Sequence, residues 1–435
     1  LSWGLVNALL WAIGNGLTTG SLVSYLARDL GARGLGLGLL LAAPNLAGAV
    51  RLAAPICIQR LGTARQACLT CSLASYLLMI GLPAIALAAP YVSRSLAVAA
   101  MIGLICMHQM LEYLGTVALW TWWSDLVPRQ VRGRYFARRQ QVQLAVTVPT
   151  LLGGGYLADG LRSLYRDDPE RLLWAYALPT GLGALALLAS LWPLARMPAT
   201  RIYRRTAAAI VWRALAVPLC DRRYWPLLAF RGWFSLANGI SQTVQSVVFP
   251  KEVLGLGVGP LASMRVLMQV GQFAASGPVG RLSDRYGNRP VLVVAQSCVS
   301  VSLVFYLLAS PRWPWLVAGA WILFSAYVAH NICLPNLVLK LASPAETSTY
   351  VAVSDTLGGM CHALATIGGG VLFDWLRSSS ANASAEPYRS CLIVLAIGLA
   401  MRGLAVPLAM VIQEPGAWTW REIIGLQRGK SAVSK

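Results

Sequence analysis

The chain has 435 residues, of which 57% are hydrophobic and only 12% charged. A soluble domain carries about a quarter charged residues, so this composition excludes one and describes a chain that crosses a bilayer many times. The formal charge of +20 would suggest nucleic acid in a soluble chain, but here the arginines gather on alternate loops, which has another cause.

Apolar runs of about 20 residues repeat with short polar breaks at roughly 2–26, 35–58, 66–89, 96–122, 139–161, 172–195, 225–249, 257–279, 290–310, 314–340, 349–375 and 389–412. Each is long enough, at about 1.5 Å per helical residue, to cross a hydrocarbon core of about 30 Å. The first run opens at Leu1 with no charged stretch and no Ala-x-Ala-like site before it, so no cleaved leader is expected. Trp11 and Asn15 lie within it. Cys68 and Cys71 have redox-motif spacing but fall inside the third run, where a structural role is expected. The fourth run holds His108, Gln109 and Glu112, with His108 and Glu112 one turn apart on a shared helix face. Its following loop is rich in arginine (Arg129, Arg132, Arg134, Arg138, Arg139). Residues 196–224 carry Pro198, Pro218 and an arginine cluster, and read as a basic linker. The seventh run holds Trp233, Asn238, Gln242 and Gln245, the eighth Arg265, the tenth Trp321, Tyr327, His330 and Asn331, and the eleventh Asp355. By the positive-inside rule the even loops and both termini are expected to be cytoplasmic. Asn382-Ala383-Ser384 is a glycosylation triplet in an odd loop, meaningful only in a host that glycosylates.

The chain is written twice. Asn15-Gly16-Leu17-Thr18 is echoed by Asn238-Gly239-Ile240-Ser241, and Arg28-Asp29 by Lys251-Glu252, each 223 residues on by subtraction. The stretch from Gly153 through Asp159 to Arg162 is echoed by that from Gly368 through Asp374 to Arg377, 215 residues on. The loop Gly280-Arg281-Leu282-Ser283-Asp284-Arg285-Tyr286-Gly287-Asn288-Arg289 has a degraded copy at Gln59-Arg60-Leu61-Gly62-Thr63-Ala64-Arg65. Six runs per half is an even number, so the repeats are parallel. The expected organisation is a six-helix bundle at 1–195, the linker at 196–224, a second bundle at 225–412 and a cytoplasmic tail at 413–435.

These motifs resemble the major facilitator superfamily, whose hallmark Gly-x-Leu-x-Asp-Arg-x-Gly-Arg-like loop is fitted by Gly280, Leu282, Asp284, Arg285 and Gly287, with Arg289 one residue beyond the final arginine position. The first copy departs from it, with Gln59 in place of the acid and no leading glycine. Residues Trp123 to Phe136, with Asp125, Pro128, Arg132 and Gly133, are similar to the family's loop between the fourth and fifth helices. The resemblance covers the whole chain. It implies an all-α membrane protein of twelve transmembrane helices in two parallel six-helix repeats, with helices one, four, seven and ten lining a central cavity.

On that basis three groups of side chains are candidates. Glu112, a carboxylate in mid-membrane, with His108 and Arg265, would serve proton coupling or substrate contact, or else tie helices together. Asn15, Trp11, Gln109, Asn238, Gln242, Gln245, His330 and Asn331 would line the cavity, or else hydrogen-bond between helices. Gly280, Asp284, Arg285, Gly287, Arg289, Arg60, Gly62, Arg65, Asp125, Arg132, Gly133 and Asp355 would gate the cytoplasmic side, or merely orient the chain.

The function expected is secondary active transport of a small molecule by alternating access, coupled to protons. The alternative is a non-transporting sensor or assembly factor on the same fold. No enzyme, cofactor or metal is expected, nor a nucleic-acid partner. There is no Walker lysine to use ATP. A monomer in the plasma membrane, bacterial inner membrane above all, is the expected setting.

Overall fold

The computed structural model describes residues 2–127, 132–165, 167–168, 171–198, 217–342, 347–379, 387–418, 422 and 425. The side chains of Asp125, Arg132 and Gly133, most of the basic linker, and the triplet Asn382-Ala383-Ser384 lie outside the described residues.

Among the described residues every regular element is helical. A bilayer offers no water to unpaired peptide groups, so an apolar chain must satisfy them within helices. Among the described residues nine helical stretches are long and apolar enough to cross a membrane, including Arg94–Trp123, Asn288–Leu308 and Pro387–Val411. The other three expected runs are helical but interrupted or more polar. The first breaks into Ser2–Thr18 and Ser21–Asp29 around Gly20, whose φ of +70° suits only glycine. The seventh runs as Trp225–Thr243 and then widens into a π-helix, Val244–Val253, with Pro250 inside it. The eighth, Val258–Tyr286, carries Arg265, Gln269 and Gln272 within its length. These three runs hold Trp11, Asn15, Asn238, Gln242, Gln245 and Arg265, so the interrupted or more polar runs carry most of the polar candidates.

The chain divides into two compact units. The first comprises Leu1–Ala208, Gln242–Val266 and Thr366–Cys391. In it Ala64–Met79 packs along Arg94–Leu126, and Ser2–Thr18 lies against both Arg132–Leu164 and Trp174–Ala189. Small residues allow this: a Cβ on Gly115 would stand 2.8 Å from the Ser72 hydroxyl. Lipid is as apolar as leucine, so such close backbone approach and interhelical hydrogen bonds hold membrane helices together. Trp122, Trp123 and Cys68 centre one core cluster.

The second unit comprises Ala209–Ser241, Leu267–Ala365 and Leu392–Lys435. Its core gathers Tyr224, Phe230, Leu292, Leu337 and Ala409. Asn288–Leu308 packs against Leu316–Leu323 and Tyr327–Leu341, which are joined by a tighter 3₁₀ turn at Phe324–Ala326.

Candidate functional site

The first unit contains two polar constellations. One is built around Glu112. The indole N–H of Trp11, on the first helix, donates to Glu112 Oε1 at 3.0 Å. Its other oxygen, Oε2, is buried with no hydrogen-bond partner among the described residues. His108, one turn away on the same helix, is turned to the third helix instead. Its Nδ1 meets the Ser75 hydroxyl at 2.8 Å and the Ser75 carbonyl at 3.2 Å, while that hydroxyl lies 3.0 Å from the His108 carbonyl. Sharing a face thus leaves the two side chains with different partners. Asn15 and Gln109 are half-buried, and the Asn15 carbonyl accepts from Thr19. Gln245 is buried and Gln242 half-buried. The Arg265 guanidinium lies beside Gly20, 2.6 Å from where a Cβ there would stand.

The second constellation was visible in sequence only as a repeat. Arg28 and Asp29 end the helix Ser21–Asp29, and Lys251 and Glu252 sit near the end of the π-helix. The two pairs are crossed: Arg28 bonds Glu252, and Lys251 Nζ bonds Asp29 Oδ1 at 2.6 Å. Asp29 Oδ2 also accepts from Arg162 at 2.5 Å and from the Tyr176 phenol at 2.6 Å. Arg377 lies 3.6 Å from the other oxygen of Glu252. Lys251 further donates to the Tyr25 carbonyl at 3.0 Å, and the Tyr25 phenol donates to the Leu256 carbonyl at 3.0 Å.

Around this cluster two carboxylates cap helix N-termini in matching ways. Asp159 accepts from the backbone N–H groups of Val258 and Gly259 at 2.9 and 2.8 Å. Asp374 accepts from those of Gly34 and Leu35, both at 2.8 Å. The first four N–H groups of a helix lack internal partners and carry the positive end of its dipole, so a carboxylate there satisfies both. The glycines make room for it. A Cβ on Gly155 would stand 3.0 Å from Gly259 Cα, and one on Gly34 or Gly370 would run into the facing backbone. The triple glycines therefore serve close helix approach, through Gly155 and Gly370, as expected of small residues in membrane helices.

In the second unit, Asn238 donates to the Phe234 carbonyl at 2.7 Å and accepts from the Tyr327 phenol. His330 stacks on Phe234 with centroids 4.6 Å apart, and its Nε2 meets Gln296 Oε1 at 2.9 Å. Arg402 is buried over the Phe324 ring and donates to the Ser241 hydroxyl at 3.2 Å. Asn331 is exposed.

The loop residues fall unevenly. Gly287 has φ +95° and would drive a Cβ to 2.7 Å from Ala417, so glycine is needed there for both conformation and space. Gly62 has φ +87°. Gly280 meets nothing within 4 Å. Asp284 and Arg285 are exposed, as is Arg60. Together with Asn336 and Lys340, Asp284 and Arg285 line a polar cavity of about 380 Å³. Arg65 donates to the Ala195 carbonyl at 2.8 Å, and Asp355 pairs with Arg231 at 3.1 Å.

The carboxylate at the start of Asn288–Leu308 is Glu414, which sequence reasoning missed. Its oxygens accept from the Asn288 and Arg289 backbone N–H groups at 3.1 and 2.7 Å, from the Asn288 amide at 2.7 Å and from Lys340 at 2.7 Å. Burial pushes the Glu414 carboxyl up, but Lys340 and these N–H donors outweigh it and hold it below the usual carboxylate range. Glu414 follows the last apolar run in a short tail without a motif, and nothing in its sequence neighbours, Gln413 and Pro415, flags it.

The model for the Major Facilitator Superfamily matches residues 4–366 and 235–422. No curated protein sequence matches. The fold is similar to that of the nucleoside transporter NupG, with a TM-score of 0.65 at 13% identity, covering 94% of this chain and 98% of that one. It is similar to a D-xylose-proton symporter, with a TM-score of 0.67 at 13% identity, covering 95% and 97%. It is also similar to the xylose transporter XylE from E. coli in its inward open conformation, with a TM-score of 0.62 at 12% identity, covering 98% of each chain. With the family model spanning most of the sequence, the chain belongs to the major facilitator superfamily.

Proposed function

We propose that this protein is a secondary active transporter that moves a small polar molecule by alternating access and couples that movement to protons through Glu112. The observation that carries the reading is the Glu112 carboxyl itself. Its Oε1 accepts from the Trp11 indole, the Tyr76 phenol is its other polar neighbour, and Oε2 is buried with no hydrogen-bond partner among the described residues. An ionisable group within the membrane is costly and persists where it meets a cargo ion or a proton path. A carboxyl with one oxygen anchored and the other free can take and release a proton without losing its place.

In this reading the Arg28–Asp29 and Lys251–Glu252 cluster, with the Asp159 and Asp374 caps, is the outer latch. Its contacts join segments far apart in sequence through a few polar groups, the kind of linkage that can form in one state and open in the other. Asp284, Arg285, Arg289 and Asp355, on the cytoplasmic side by the arginine distribution, are assigned to inner gating. Asn15, Gln109, Gln242, Gln245 and Asn238 are assigned to the cavity, with Arg265 as a substrate contact. We place the termini in the cytoplasm.

The test is a thermal-shift screen of the purified protein against nucleosides, pentoses and dipeptides, the classes that solved relatives carry by name. A ligand that binds the native state raises the melting temperature. Uptake of that ligand into proteoliposomes should then accelerate when the outside is made acidic. Uptake that ignores the pH gradient would remove the proton from the mechanism, and a panel with no binder would remove these cargo classes.

A further inference from the structure

The second unit carries an apolar groove of about 510 Å³ between the eighth, ninth and tenth helical runs. Small side chains open it: Ala275 from the eighth, Ala295 from the ninth, and Ser325 and Ala329 around the 3₁₀ turn of the tenth. It faces outward, since its wall residues Val294 and Ile322 are 54% and 55% exposed. A convex apolar helix face needs only generic lipid contact, but a concave one of this volume favours a single chain lying along it.

One end of the groove is charged. Leu282, Tyr286 and Pro290 line that end. Arg281 precedes Leu282 and is exposed; Arg285 lies over the Tyr286 ring at 5.1 Å; Arg289 precedes Pro290 and donates to the Trp418 carbonyl at 3.3 Å. Trp418 stands edge-on to Tyr286 with centroids 5.4 Å apart. Tyrosine and tryptophan of this kind favour the headgroup layer of a bilayer. The exposed carboxylate nearby is Asp284, while Glu414 is buried among its own donors. Each lining residue of that end thus has an arginine next to it in sequence, Arg285 resting on the Tyr286 ring and also lining the neighbouring polar cavity with the exposed Asp284.

We propose that this groove is a binding site for an anionic phospholipid, with one acyl chain along the groove and the phosphate of the headgroup on Arg281, Arg285 and Arg289. The site goes beyond the transport reading and stands or falls without it. Both parts of the ligand are required by the chemistry: the apolar groove has no use for a free anion, and the arginines have none for a neutral chain.

The test is native mass spectrometry of the full chain in detergent with equal amounts of dioleoyl phosphatidylglycerol and dioleoyl phosphatidylcholine. The wild type should retain phosphatidylglycerol with a preference of about tenfold over phosphatidylcholine, since basic residues near a headgroup favour the anionic lipid. The double variant Arg281→Gln, Arg285→Gln should bring the two lipids close to parity. Val294→Trp, which fills the groove, should lose both adducts. On the wild-type protein, dibutyryl phosphatidylglycerol, which keeps the headgroup but lacks the long chain, should fail to displace the dioleoyl lipid at equal concentration. Equal retention of the two lipids by the wild type overturns the proposal, as does an unchanged preference in the arginine variant. Displacement by the short-chain lipid or by inorganic phosphate would reduce the site to a surface anion contact and overturn the groove.

Discussion

The Asp29 cluster and the Glu414 cluster use the same chemistry on different scaffolds. Each holds a shielded carboxylate among cations and hydrogen-bond donors. Asp29 draws Arg162 and Tyr176 from later in the first half and Lys251 from the second, and its neighbour Arg28 reaches Glu252. Glu414 closes on Asn288, Arg289 and Lys340, all from the second half. The first is nearly symmetric, with each repeat supplying an acid to the other's base and an aspartate to the other's helix end. The second has no such counterpart among the described residues, because its acid comes from the tail. If the first serves as the proposed latch, its being shared by both repeats suits it, whereas the second needs only local parts.

The largest effect is expected at Asp29. Asp29→Asn leaves Lys251 and Arg162 largely buried without their anion, and removing one partner of such a network costs about 3–5 kcal/mol. Denaturation in detergent should show that loss, and Lys251→Met added to it should recover part of it in a double-mutant cycle. A loss below about 1 kcal/mol would mean that solvent already screens the cluster as it does a surface pair.

Glu414→Gln should cost less, about 1–3 kcal/mol, since an amide keeps one acceptor among the same donors. Its pH dependence gives a sharper test. The folded carboxyl is held below its unfolded value of about 4.3, so its contribution is complete above that pH. It fades as pH falls through the folded value. The stability gap between wild type and variant should therefore be constant from pH 6 to 8 and close below about pH 4. A gap that widened on acidification would reverse the assigned sign.

The smallest effects should come from the caps, and there equality matters more than size. Asp159→Asn and Asp374→Asn should each cost about 1 kcal/mol, the worth of a helix cap. If one costs several times the other, the two helix ends are not equivalent supports and the symmetry is only geometric.

Much of the fold was legible in the sequence because a bilayer leaves an apolar chain few choices. The twelve runs and the half-length echoes carried it. The exceptions are informative: Gly20 and the π-helix at Val244–Val253 interrupt the first and seventh runs where polar groups collect, which hydropathy alone registers as weaker runs. Glu112 stood out because a carboxyl deep in an apolar helix is rare, but its partner Trp11 did not, since tryptophan in such a run is ordinary. The echo of Arg28-Asp29 in Lys251-Glu252 announced a shared role without saying that the pairs would be crossed. An offset in sequence carries register, whereas a crossed ion pair depends on which helix ends come together. Glu414 was silent because one tail acid has neither periodicity nor repeat to mark it.

Whether Glu112 carries the proton is decided by watching protons move. Proteoliposomes holding a pH-sensitive dye should acidify inside when a transported ligand identified by the thermal screen is added outside. With Glu112→Gln that ligand-dependent acidification should vanish while exchange of labelled for unlabelled ligand continues. Acidification that persists in the variant would contradict the account.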